Sequence, residues 1–291
     1  MKKKLCFLYC LTCLVFLTIS CNQKQAVSDP LHISKETRIV SLNGTITEIL
    51  FSLGLGDKIA GVDITSNFPE SVAKIPKIGH SHDLSAEGIL GLKPTLVIGP
   101  DDNVKPELRE QLRSAGIPLL LFHADHTVAG AKKLITDIAD TLGFADKALP
   151  LCKGIDQDTS GMIRPAIKPR VLFIYARGIG AMMVAGTNNS VNSMIELAGG
   201  ENAVKDFSSY KPLTAESLVT ANPDLILMFD KGLESLGGIN GLLKVQGISQ
   251  TQAGKNKKVV EMDGQFLTGF GPRTGKAIAE LSKKLNEAEK P

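Results

Sequence analysis

The chain has 291 residues, 43% hydrophobic and 22% charged, a composition that excludes a disordered or collagen-like polypeptide. Its formal charge of +3 comes from Lys2, Lys3 and Lys4; without residues 1–20, positive and negative charges balance at 30 each. A neutral chain with no basic tract has no electrostatic footprint for DNA or RNA.

Met1 to Lys4 is a positive stretch, and Leu5 to Ser20 is an apolar run of 16 residues. That run is short for a membrane span and right for a secretory signal. It ends in Leu17-Thr-Ile-Ser-Cys21, which resembles a bacterial lipobox, with Cys21 as the residue to be lipidated once residues 1–20 are removed. Residues 21–36 then read as a tether. Of five cysteines, Cys6, Cys10 and Cys13 leave with the signal and Cys21 carries lipid. Cys152 alone remains, so the exported body has no internal disulfide and no Cys-rich metal site. Its flanks supply no base, which makes it a packing residue.

Residues 37–41 read as a strand, followed by an apolar-periodic helix from a Thr45 cap to Leu53, which Gly54 and Gly56 stop. Ile59 to Val62 is short and β-like. Leu84-Ser-Ala-Glu-Gly-Ile-Leu90 opens a helix capped by Ser85, and Pro94 leads into the apolar strand Thr95–Ile98. A helix over 105–115 and a strand over 117–122 continue the alternation, which argues a parallel sheet. Residues 127–168 are helical in pattern, long enough to hold a helix crossing between two bodies. From residue 169 the plan repeats. Arg170–Tyr175 is a strand, Ser190–Leu197 a helix, and Leu213-Thr-Ala-Glu216 with Pro223-Asp-Leu-Ile-Leu227 echoes Leu84-Ser-Ala-Glu87 with Pro94-Thr-Leu-Val-Ile98. Glu to Pro is seven residues in both copies, so two like α/β lobes are expected, 37–126 and 169–291, with a ligand cleft between them.

Enzyme signatures are weak. There is no Gly-x-Ser-x-Gly and no His-Glu-x-x-His, and Gly269–Lys276 misses the phosphate-loop pattern at Phe270 and Ala277. The five histidines, His32, His80, His82, His123 and His126, all precede the second lobe. His80-Ser-His82 falls in a polar loop where residues two apart point the same way if the chain is extended, so both imidazoles can face one iron, zinc or copper ion. His123 and His126 follow a strand and are weaker candidates. In the second lobe Arg177, Met182 and Met183 follow a strand, Tyr210 and Lys211 precede the echoed helix, and Phe270 and Arg273 open the last one. A cation here suits a ligand carboxylate, and Met an apolar face. Glu87 and Glu216 occupy matched first turns, a pair of charges suited to a two-fold basic partner.

Several spaced motifs carry a resemblance over residues 37 to 285. They are Ser41–Leu50, Gly79–Leu90, Ala185-Gly-Thr with Leu197–Ala203, Tyr210–Glu216, Asn222-Pro-Asp224 and Gly269–Arg273. Together they resemble the haemin-binding proteins of bacterial haem ABC importers, related to siderophore and vitamin B12 binders. The resemblance implies an α/β fold of two Rossmann-like lobes with parallel sheets, joined by a single long backbone helix. It implies haem as a transported ligand, no catalytic cofactor and no enzyme activity. It also implies delivery to an ABC permease dimer with its ATPase, docked by Glu87 and Glu216. The family loop reads Gly-Tyr-x-Arg with an axial Tyr; here His80 takes the Tyr place and His82 the Arg place, which makes them the candidate axial ligands. Arg177 lies where some relatives contact a second haem. The expected protein is periplasmic, monomeric in its body and held to a membrane only by lipid. A ferric siderophore, cobalamin or a free metal ion is the alternative cargo.

Overall fold

The computed structural model describes residues 31–80, 83–102 and 104–289. The signal, Cys21, most of the tether and His82 lie outside the described residues. Among the described residues no helix is long and apolar enough to cross a membrane.

The first lobe is built on four parallel strands in the order β2-β1-β3-β4: β1 (Ile39–Ser41), β2 (Ile59–Val62), β3 (Leu96–Pro100) and β4 (Leu119–Phe122). Every residue of β1 and β3 is buried, as expected of strands covered on both faces. Helix α1 (Gly44–Ser52) follows β1. Its cap is Asn43, not Thr45: the Asn43 Oδ1 accepts from Thr45 N at 2.8 Å and Ile46 N at 3.2 Å. Helix α2 (Ala86–Leu90) starts at the expected Ser85, whose Oγ accepts from Gly88 N at 3.1 Å. Helix α3 (Pro106–Ser114) lies between β3 and β4 in sequence.

The connecting segment forms two helices, α4 (Val128–Thr141) and α5 (Ala145–Thr159), turned against each other at Gly143, where φ is +80°. Helix α5 leads into the second lobe. Buried side chains of α4 and α5 (Leu134, Ile135, Ile138, Ile155) belong to one apolar core that includes Ile39 and Leu96 of the first sheet and Val171 and Phe173 of the second. The lobes therefore share a core through the connecting helices.

The second sheet departs from the repeat. Strands β5 (Arg170–Ala176), β9 (Leu225–Phe229) and β10 (Val259–Met262) are parallel, and β7 (Glu201–Asn202) pairs parallel to β5. Strand β6 (Met182–Ala185) returns antiparallel along β5, and β8 (Tyr210–Pro212) is antiparallel to β6, so this sheet is mixed. The reason is length: five residues separate β5 from β6, far fewer than a parallel crossover needs. Helix α6 (Ser190–Leu197) precedes β7, α7 (Ala215–Ala221) precedes β9, and the short helices α8 (Asp230–Ser235), α9 (Gly238–Leu242) and α10 (Gln252–Lys255) lie between β9 and β10. Helix α11 (Gly264–Thr268) follows β10, and α12 (Thr274–Glu289) completes the lobe.

Candidate functional site

Loops leaving the carboxyl ends of parallel strands are where ligands bind in such sheets. In the first lobe the loop after β2 runs through a buried carboxylate, Asp63, to a strap over residues 76–80 that lies beside β2. Val62 N donates to Pro76 O at 3.0 Å and Ile78 N to Val62 O at 3.0 Å. The strap turns at Gly79, where φ is +113°, a value open to glycine and strained for other residues. His80 follows at once and is half-buried. Its partner in the sequence reading, His82, is among the residues left undescribed.

The loops after β3 and β4 hold a second polar group. His123 Nδ1 lies 3.2 Å from Asp101 Oδ2, and Nε2 lies 3.2 Å from Asp125 Oδ1. Two carboxylates on two ring nitrogens favour the imidazolium, and hydrogen bonding to Asp101 is the main reason the His123 pKa stands above its ordinary value. His126 moves the other way. Its ring packs on Phe270, with centroids 5.4 Å apart, and desolvation holds its pKa down.

In the second lobe strand register decides which side chains share a face. Tyr175 pairs with Met183, and Ala185 with Tyr210, so Tyr175, Met183 and Tyr210 lie on one face. Met182 lies on the opposite face, packed against the core that holds Leu172, Ile174 and Val184. Met183 rather than Met182 is thus the neighbour of the tyrosines. Tyr175 meets the Phe229 ring edge-on at 6.0 Å, and the guanidinium carbon of Arg177 stands 5.5 Å from the Tyr175 ring. Burial, with the Tyr175 phenol adding to it, raises the pKa of Tyr210. Lys211 is exposed and its ammonium lies 4.4 Å from the Phe207 ring.

Phe270 and Arg273 belong to the seam between the lobes. Phe270 is buried, 3% exposed. Arg273 reaches Glu48 of α1: its Nε donates to Oε2 at 2.9 Å and its Nη2 lies 2.9 Å from the same oxygen. The guanidinium carbon is 3.7 Å from the Phe68 ring centroid and 5.0 Å from that of Phe266. Glu48 is 5% exposed; burial raises its pKa more than Arg273 lowers it, and its Oε1 has no hydrogen-bond partner among the described residues. The main chain comes close here because two positions lack a Cβ. A Cβ on Gly271 would stand 2.7 Å from Thr45 Cγ2, and one on Gly269 would stand 3.1 Å from Thr45 Oγ1. Arg273 is therefore occupied in a cross-lobe ion pair.

Glu87 and Glu216 are both exposed and both second in their helices, behind the caps Ser85 and Thr214. Thr214 and Ser217 form a reciprocal capping box. The sequence reading passed over Tyr175, Glu48, Asn67 and Gln265. A tyrosine one residue before the end of a strand, with an arginine two residues on, was a local signal for the first of these.

Residues 39–266 match the family model described as periplasmic binding protein. The chain belongs to this family. As a periplasmic binding protein it has solved relatives of the same shape. The apo form of the periplasmic haem-binding protein RhuT from Roseiflexus sp. RS-1 is 41% identical, with 87% of this chain and 98% of that one covered and a TM-score of 0.82. The haem-binding protein HmuT is 32% identical over 86% of this chain and 84% of its own, with a TM-score of 0.78. HmuT has also been solved with a tyrosine replaced, with the arginine two residues after it replaced, and with a histidine 99 residues before that tyrosine replaced. Among curated relatives, the ABC transporter substrate-binding lipoprotein YvrC of Bacillus subtilis (strain 168) is 28% identical, with 89% of this chain and 83% of that one covered. A vitamin B12-binding protein of Vibrio parahaemolyticus is 22% identical, with 87% and 90% covered. The resemblance to haem-importer binding proteins read from the motifs is thus matched in sequence and in shape.

Proposed function

We propose that this periplasmic binding protein captures haem between its lobes and delivers it to an ABC permease dimer with its ATPase, without turnover. The observation that carries the proposal is the likeness to solved haem-binding proteins, and the chain spacing of His80, at the end of the first-lobe strap, to Tyr175 and Arg177, at the carboxyl end of β5, fits it. His80 precedes Tyr175 by 95 residues and Arg177 follows it by two, much the spacing of the three side chains replaced in HmuT. Imidazole and the tyrosine oxygen are both haem ligands. His82 is a second candidate on the same loop. Arg177 and Lys211 are the cations available to haem carboxylates; Met183, Tyr210 and exposed Ile64 and Ile179 offer apolar surface. Met182, Phe270 and Arg273 act through packing and the seam.

Glu87 and Glu216 are the proposed contacts to basic residues of the two-fold permease, each presented at the start of a capped helix. Cys21 is the proposed lipid anchor, which the name of the lipoprotein relative supports, with residues 22–36 as the tether and the body as a monomer.

Titration of the mature protein with haemin, followed by visible absorption, tests the reading. A saturable, shifted Soret band is expected, and its absence overturns haem as cargo. Cobalamin is the competing cargo because vitamin B12-binding relatives span most of the chain. Cobalamin that binds saturably, in place of haemin, would establish that alternative.

A further inference from the structure

The loop from Asp63 to Phe68 is fastened on two sides. Asp63 is fully buried and accepts from Thr65 N at 3.1 Å, from Ser66 Oγ at 2.5 Å and from the Thr65 hydroxyl. Ser66 Oγ meets Thr47 Oγ1 at 3.0 Å, and Thr47 Oγ1 donates to Ser41 Oγ at 2.8 Å, which ties the loop to α1 and β1. Toward the strap, Ile64 N donates to Gly79 O at 2.9 Å, one residue before His80, and Lys77 Nζ donates to Ser66 O at 2.5 Å. Toward the second lobe, Asn67 N donates to Gln265 Oε1 at 2.7 Å, Asn67 Nδ2 donates to Asp263 Oδ2 at 2.7 Å, and Phe68 covers Arg273. The other end of the Gln265 amide donates to Gly44 O at 2.8 Å.

Ser66 C=O and Asn67 N–H are the two ends of one peptide group. That group is planar and stiff, so its two bonds turn together. One of them holds the His80 strap and the other holds α11 of the second lobe. Among the described residues the strap pairs with β2 alone, through the two main-chain bonds at Val62, and the bonds from the Asp63–Phe68 loop are further holds on it.

We propose that this peptide is a lever: the second lobe, through Gln265 and Asp263, sets the position of the strap, and drawing the lobes apart at the seam displaces His80. Gln265 is then a positioning residue for His80, acting through Asn67 across the seam. The proposal rests on the haem reading for its purpose and on the hydrogen bonds alone for its mechanics. It supplies a means by which docking on a partner that parts the lobes loosens the cargo.

The test separates the two. In ligand-free protein, Gln265→Ala removes both bonds of the Gln265 amide, whereas Gln265→Glu keeps an acceptor for Asn67 N and loses the donor to Gly44. Amide exchange of Ile64, whose N–H holds Gly79, is expected to quicken about tenfold in Gln265→Ala and to stay near the parent rate in Gln265→Glu. An unchanged Ile64 rate in Gln265→Ala overturns the lever whatever the cargo is. With haemin bound, Gln265→Ala is expected to speed dissociation about tenfold, with no further effect in a His80→Ala background. Equal effects in both backgrounds would mean general loosening and also overturn it. A parent protein that binds no haemin sinks the haem reading, and Ile64 exchange still decides the lever.

Discussion

The two lobes present their candidate ligands by different means. In the second lobe Tyr175 stands inside β5, paired with Met183 of β6 and next to Ile174, which pairs with Met228 of β9. In the first lobe His80 stands off the sheet, on a strap whose holds include two main-chain bonds to Val62, one to Ile64, a lysine, and the Asp83 N–H donating to His80 O at 2.8 Å. A residue in a ladder moves only if the sheet moves. A residue on a strap moves when its fastenings do. One side of the cleft is therefore built stiff and the other adjustable, and the seam that joins them runs through Glu48, Asn67, Gln265 and Arg273.

The largest expected effect comes from breaking that seam at its ion pair. Arg273→Ala leaves Glu48 buried and unpaired, and such breaks destabilise by about 3–5 kcal/mol. The pH dependence has a definite sign. Burial already raises the Glu48 pKa against the pull of Arg273, and without the guanidinium it rises further. A carboxyl whose folded pKa is raised contributes stability below its ordinary value of 4.5 and loses it as pH rises through the raised value. Thermal unfolding of Arg273→Ala should then show a deficit that is small in acid and grows toward neutral pH. Adding Glu48→Gln should remove the growth and leave only the lost stacking on Phe68 and Phe266. A deficit equal at all pH values would show that Glu48 is not the group responsible.

The contrast between strap and strand is sharpened by a pair of substitutions read on bound haemin. His80→Ala removes the proposed ligand on the strap, and an affinity loss on the order of 100-fold, about 2.7 kcal/mol, is expected. Tyr175→Phe keeps the edge contact with Phe229 and loses only the oxygen; an affinity loss of about tenfold and a changed charge-transfer band are expected. If Tyr175→Phe leaves the spectrum untouched while His80→Ala alters it, the second lobe contributes shape and no iron ligand.

What was legible in the sequence follows the range of the forces involved. The cap at Ser85 depends on a residue and its neighbours three positions on, and it reads correctly, with Glu87 in the first turn behind it; Thr214 takes the same place ahead of Glu216. The cap is Asn43 and not Thr45 because both polar residues, two positions apart, can cap, and only the backbone says which stays extended. The apolar runs that became β3, β5 and β9 announced buried parallel strands. The hairpin of β6 did not, because a four-residue strand carries too little periodicity and the first half supplied a misleading template. Met182 and Met183 were indistinguishable until register put them on opposite faces. Arg273 was legible as a cation near the cleft, yet its partner Glu48 lies 225 residues away, and nothing local marks such a pair. The same distance hid Gln265 and Asn67, whose roles exist only once the lobes meet.

The smallest effect concerns the titrations that set the first lobe apart, since no histidine lies in the second. His123 and His126 are three residues apart, yet their surroundings push them in opposite directions from 6.5. Hydrogen bonds to Asp101 and Asp125 favour the His123 imidazolium, so its contribution is present in acid and lost as pH rises through its raised pKa. Desolvation against Phe270 favours neutral His126, despite Asp102 and Asp125, so its contribution is present above 6.5 and lost as pH falls through its lowered pKa. The two slopes have opposite signs on opposite sides of 6.5, so the pair's contribution to the stability of the parent should rise toward 6.5 and fall beyond it. Nuclear magnetic resonance of the imidazole C–H protons should resolve two midpoints on either side of 6.5. Phe270→Leu, which uncovers His126 from the side of the second lobe, should bring the lower midpoint up and leave the upper one in place. If both midpoints move together, the histidines are coupled to each other more strongly than to Phe270, and the seam exerts no separate hold on this part of the first lobe.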